Sequence, residues 1–189
     1  MEWPASITRE DMARLPIARY EGEVRLVATA EALELERTAI LRERALGFDT
    51  ETRPAFRKGE RYPPSLVQLA GESVVWIFQL QRLDAAAFLK DLLERDIVKT
   101  GVGIDEDLRQ LKTVFAFEAS AVQDIAMLAR GRGIEQTGLR NLAGIVLGIR
   151  IPKGKRTSNW AAARLTPQQI GYAAMDAWVA RALYLALSR

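Results

Sequence analysis

Two hydrophobic periods, one of two residues and one near 3.6, succeed each other along this chain, and the switches between them mark its elements. Val24 to Thr29 (VRLVAT) predicts a strand, and Ala30 to Arg44, rich in Ala, Leu and Glu, predicts a helix. ALGFD, ending at Asp49, is a short buried strand. KGERYPPS interrupts the pattern as turn and loop. LVQLA and VVWIF then form two β-rich runs separated by Gly71, Glu72 and Ser73, the signature of an antiparallel hairpin.

Beyond the hairpin the periods alternate. Asp84 to Glu94 carries Phe88, Leu89, Leu92 and Leu93 at helical spacing, and DIVKTGV is a strand ended by Gly101 and Gly103. Ile104 to Phe115 reads as a helix, Ser120 to Gln123 as a last short strand, and Asp124 as the cap of a helix holding Ile125, Ala126, Leu128 and Ala129. Leu139 to Leu147 is a further short helix. The final helix has the clearest start: Thr166, Pro167 and Gln169 supply an N-cap, a first-turn proline and a capping-box partner. Counted at 100° per residue, Tyr172, Asp176, Val179, Leu183 and Leu187 fall on one stripe, so an acid shares a face that is otherwise apolar. These elements predict an α/β fold, a mixed sheet flanked by helices. With no repeat, linker or low-complexity stretch, residues 1–189 are expected to form a single domain, with 1–22 as a loose N-terminal arm.

Composition narrows the chemistry. The chain has no cysteine and no histidine, which removes disulfides, thiolate and imidazole metal sites, cysteine nucleophiles and imidazole bases together. Carboxylates, Tyr, Lys and Ser remain, and oxygen ligands favour hard ions, so magnesium or manganese is the expected metal. The apolar runs are too short to span a bilayer and MEWPASITRED has no signal-peptide core, so a cytoplasmic protein with no membrane association is expected. A net charge of +3 permits a polyanionic partner. The basic residues gather at Arg53, Arg57, Lys58 and Arg61 and again at Arg150, Lys153, Lys155 and Arg156.

A few acids sit in apolar settings. Asp49 and Glu51, two apart at a strand end, point to one side and can address one ion. Asp105, Glu106 and Asp107 open a helix, where Glu106 points away from the stripe of Ile104, Leu108, Leu111 and Phe115; Asp105 and Asp107 both flank it, and helical geometry leaves both open. Tyr172 and Asp176 are one turn apart on the last helix.

The order FDTET, then GVGIDEDL, then YAAMD resembles the DEDDy family of 3′–5′ exonucleases over nearly the whole chain. FDTETRPAF followed by PPSLVQLA, with TGLRNLA and KRTSNWAAARLTPQQIGYAAMDAW, is most similar to the Werner-syndrome-type branch and its stand-alone bacterial relatives. Ribonuclease D is the more distant relative; the length after the third motif departs from it, and its C-terminal helical domain is not expected here. The resemblance implies a ribonuclease-H-like exonuclease fold with a five- or six-stranded mixed sheet. It implies Asp49, Glu51, Asp107 and Asp176 as ligands of two divalent ions, Mg2+ or Mn2+, and Tyr172 as the residue that positions the attacking water; it selects Asp107 over Asp105, because the family acid directly precedes an apolar helix position. The implied activity is two-metal removal of nucleoside 5′-monophosphates from nucleic acid 3′ ends, with single-stranded or frayed DNA expected first. Ribonuclease D-like trimming of RNA and a catalytically silent nucleic-acid-binding module are the alternatives. Thr50, Lys155, Arg156 and Trp160 are the expected substrate contacts, Lys155 and Arg156 at phosphates. Trp160 stands either against a base or as an interior brace of the last helix.

Overall fold

The structure, a computed structural model, describes residues 2–57, 59–152, 154 and 158–189. Strands β1 (Glu23–Val27), β2 (Ala45–Glu51), β3 (Leu66–Ala70), β4 (Val74–Gln79), β5 (Val98–Gly101) and β6 (Val122–Asp124) form one sheet in the order β1-β4-β3-β2-β5-β6. β3 is antiparallel to both its neighbours, β2 and β4, as the hairpin pattern predicts for the β3–β4 pair; β1 joins β4, β5 joins β2, and β6 joins β5 in parallel. The helices are α1 (Arg9–Arg14), α2 (Ala30–Arg42), α3 (Ala86–Glu94), α4 (Ile104–Leu111), α5 (Ile125–Gly131), α6 (Leu139–Leu147) and α7 (Pro167–Leu187). Among the described residues no helix is long and apolar enough to cross a membrane.

Strand alternation divides the core. Leu46, Phe48, Val67, Leu69, Trp76 and Phe78 face one way, onto Leu33 and Ile40 of α2, Leu89 and Leu92 of α3 and Leu108 of α4. Leu66, Ala70, Val75 and Ile77 face the other way, onto Ala173, Ala174 and Ala177 of α7. A further layer joins Val179, Leu183 and Leu187 of α7 to Ile125 of α5 and Leu142 of α6. Helix α7 is therefore buried on two faces; of the stripe read from the sequence, Val179, Leu183 and Leu187 meet α5 and α6.

The other face, made of alanines, lets α7 approach the sheet closely. A Cβ on Gly47 of β2 would stand 2.0 Å from the Ala177 carbonyl oxygen and 2.8 Å from the Arg181 nitrogen. Arg181 Nε also donates to the Ala45 carbonyl at 3.0 Å. Gly47→Ala is expected to push the helix off β2 and to lower stability by about 1–3 kcal/mol, the usual size of an overpacked core contact; chemical denaturation measures it.

Several boundaries differ from the sequence expectations. β2 runs through Glu51, two residues past Asp49, and so holds both acids in regular strand geometry. Thr29 belongs to neither neighbour but caps α2, accepting from the Ala32 amide at 3.2 Å. Helix α4 stops at Leu111 and not Phe115, because the Thr113 hydroxyl takes the Gln110 carbonyl at 2.7 Å and the amides of Thr113 and Val114 bond three residues back. The last strand starts at Val122, since Ala121 has a left-handed φ of 51° that a strand cannot contain. The N-terminal arm is not loose: Thr8 caps α1, the Ala18 amide donates to the Arg150 carbonyl at 3.0 Å, and the Ile7 amide donates to Gln136 Oε1 at 3.1 Å.

Candidate active site

Three segments bring polar side chains to the end of the central strands. Asp49 and Glu51 leave the last residues of β2 on the α7 side of the sheet. Gly103, at φ 71°, turns the chain from β5 into α4 and sets Asp107 over the same strand end. Tyr172 and Asp176 come from α7, whose start is fixed by the expected capping box between Thr166 and Gln169. Together Asp49, Thr50, Glu51, Thr52, Asp107, Gln110, Tyr172 and Asp176 line one open cleft of about 380 Å³.

The acids crowd one another. Oxygens of Asp49, Glu51 and Asp176 all lie within 4.8 Å of one another, a spacing that can hold a metal ion. Burial, followed by the charges of Asp176, Asp107 and Glu51, holds the Asp49 carboxyl well above the usual carboxylate range. Burial likewise raises Asp107, to about 6, against the opposing effect of a hydrogen bond from Thr50. Carboxylates this close are relieved either by taking up protons or by a cation between them, and an all-oxygen donor set fits a hard divalent ion.

Asp107 is half-buried in the cleft, whereas Asp105 is exposed and outside it. The Thr50 hydroxyl donates to Asp107 Oδ1 at 2.6 Å. Thr50 faces α4, opposite to its neighbours Asp49 and Glu51, and its hydroxyl orients an acid while the residue lines the cleft. Thr52 and Gln110 complete this wall, the Thr52 hydroxyl donating to Gln110 Oε1 at 3.4 Å and Gln110 Nε2 to Glu106 Oε1 at 2.8 Å. Neither was anticipated. Gln110 lies three residues after Asp107, on the same helical face, which is the signal that would have found it.

Tyr172 is pushed above its ordinary pKa of 10 by burial, and then by Asp176 and Glu51, and its hydroxyl is hydrogen-bonded to Asp176. It is therefore a neutral hydroxyl at physiological pH. Its ring rests on Gly154, where a Cβ would fall 1.8 Å from Tyr172 Cε2, and on Trp160, at 5.8 Å between centroids. Trp160 is 1% exposed, so its ring braces Tyr172 from the interior and presents no face for a base; the substrate-contact expectation is corrected here. Lys155 and Arg156, the expected phosphate contacts, lie outside the described residues.

A sequence model of the 3′–5′ exonuclease family matches residues 24–189. The chain is 33% identical over 151 residues to exonuclease 3′-5′ domain-containing protein 2 of Drosophila melanogaster, a match covering 77% of this chain and 26% of that protein. It is 32% identical over 179 residues to ribonuclease D of Gluconacetobacter diazotrophicus, 92% of this chain and 44% of the relative. The chain thus spans less than half the length of these curated relatives. The solved EXO domain of Aedes aegypti Nibbler superposes with a TM-score of 0.79 at 25% identity, over 92% of this chain and 90% of that one. The family match takes in all the cleft acids and the mixed sheet that carries them, and the chain belongs to the 3′–5′ exonuclease family with its ribonuclease-H-like fold.

Proposed function

We propose that this protein is a metal-dependent 3′–5′ exonuclease that releases nucleoside 5′-monophosphates from single-stranded or frayed 3′ ends, with DNA the leading substrate. The observation that carries the reading is the convergence of Asp49, Glu51 and Asp176 within 4.8 Å in an open cleft, with Asp107 and a neutral tyrosine hydroxyl beside them. These four acids would hold two divalent ions, Mg2+ or Mn2+. When bound, such ions would supply Lewis acidity to a water and would offset negative charge at the scissile phosphate.

The chain's own residues divide the remaining work. Thr50 fixes the Asp107 carboxylate through its 2.6 Å hydrogen bond. Tyr172, a protonated hydroxyl already bonded to Asp176, would orient the attacking water by accepting a hydrogen bond from it; with its pKa above 10 it stays neutral and takes no proton at neutral pH. Trp160 and Gly154 hold the tyrosine ring in place from behind. RNA is the second reading, favoured by the 32% identity to ribonuclease D.

Matched DNA and RNA oligonucleotides labelled at the 5′ end, single-stranded and recessed, test this with Mn2+, with EDTA and beside Asp49→Ala. A ladder shortening from the 3′ end, dependent on Mn2+ and absent from the variant, is expected, with DNA cleaved faster. Faster RNA shortening selects the second reading. No Mn2+-dependent ladder on any substrate would mean a silent binding module.

A further inference from the structure

Gln68 stands in the middle of β3, the fully buried central strand, with 0% of its surface exposed. Among the described residues, neither its amide nitrogen nor its carbonyl oxygen has a hydrogen-bond partner. Each such buried orphan costs about 1–3 kcal/mol, whereas methionine would fill a similar volume without that penalty. Its surroundings make the choice of residue stranger still. Leu66 and Ala70, two positions to either side on the same face, pack with Val75 and Ile77 of β4 and with Ala173, Ala174 and Ala177 of α7. An amide occupies the centre of a mainly apolar layer, in which Trp160 Nε1 likewise has no partner among the described residues.

The strand register names its polar neighbour. Gln68 pairs directly with Asp49 across the antiparallel β2–β3 ladder, so the two side chains rise from the same face of the sheet. Facing Cβ atoms in such pairs are about 4.5–5.5 Å apart, within reach of a glutamine amide through rotation about its own side-chain bonds. On the other side, Gln68 pairs with Ile77, which offers nothing to bond.

We propose that Gln68 is a positioning residue for the metal site, its amide nitrogen donating to the Asp49 carboxylate and holding it in the orientation that ligates the divalent ion. The inference rests on the metal-site reading of the cleft. A carboxylate ligand left free to rotate binds more weakly than one fixed from behind, and a hydrogen bond to an ionised carboxylate is strong enough to offset the burial of the amide.

Gln68→Met tests it, through direct Mn2+ titration by calorimetry alongside thermal melting in EDTA. The expected result is a melting temperature equal to or above that of the native chain, together with about tenfold or greater weakening of Mn2+ binding, the usual effect of losing a partner behind a metal ligand. Gln68→Leu, checked for folding by circular dichroism, repeats the test with a different apolar shape. Native-like Mn2+ affinity in a folded variant overturns the assignment alone, and a fall in melting temperature with unchanged affinity does the same by making Gln68 a structural amide. If the native chain itself binds no Mn2+, the metal-site reading falls and this inference with it.

Discussion

Asp49→Asn is expected to abolish hydrolysis, by on the order of a thousandfold or more, while making the metal-free protein more stable at neutral pH. The loss follows because Asp49 belongs to the carboxylate trio, and removing its charge forfeits several kcal/mol of ion-mediated transition-state stabilisation. The gain follows from linkage. An acid whose folded pKa is raised contributes stability that is fully present below its unfolded value, 3.8 for Asp107, and lost as pH rises through the folded value, about 6. Asp49 is displaced in the same direction by burial and by Asp176, Asp107 and Glu51. In EDTA the native chain should therefore melt at a lower temperature at pH 8 than at pH 5, Mn2+ should restore the loss, and the Asp49→Asn variant should show less of it. A metal-free melting temperature that rises from pH 5 to pH 8 would contradict the crowding. Thermal melts across pH, with and without Mn2+, provide the measurement.

Tyr172→Phe separates the tyrosine from the acids. The substitution keeps the ring that packs on Trp160 and Gly154 and removes only the hydroxyl bonded to Asp176. Turnover should fall about a hundredfold, the scale of misplacing one reacting group, while Mn2+ affinity stays within a few-fold of native, since Tyr172 is not in the carboxylate trio. Because the hydroxyl stays protonated throughout the working range, the pH profile of the remaining activity should keep its shape. Single-turnover rates and Mn2+ titration on the same preparation measure both quantities; an equal loss in the two would make Tyr172 part of the metal site.

Much of this was legible along the chain because its signals are local. The capping box at Thr166 and Gln169 and the cap at Asp124 involve residues two or three positions apart, and each is present as read. The spacing of Asp49 and Glu51 fixed their common face once they lay in a strand, and the absence of histidine restricted the site to oxygen ligands. The hairpin of β3 and β4 followed from two apolar runs and a short glycine turn.

The rest concerns residues remote in sequence, where periodicity carries no information. The choice of Asp107 over Asp105 depends on how far Gly103 turns α4 toward β2, and the hydrogen bond that ties Thr50 to Asp107 joins residues 57 positions apart. The interior place of Trp160 depends on Tyr172 packing over it. The meeting of Asp176 with Asp49 and Glu51 requires Gly47 and the alanine face of α7, because only the lack of a side chain at residue 47 lets helix and strand come close enough for their carboxylates to converge. Local pattern alone established which groups could act and which way each points from its own element; the packing of α7 and α4 on β2 settled which of them meet.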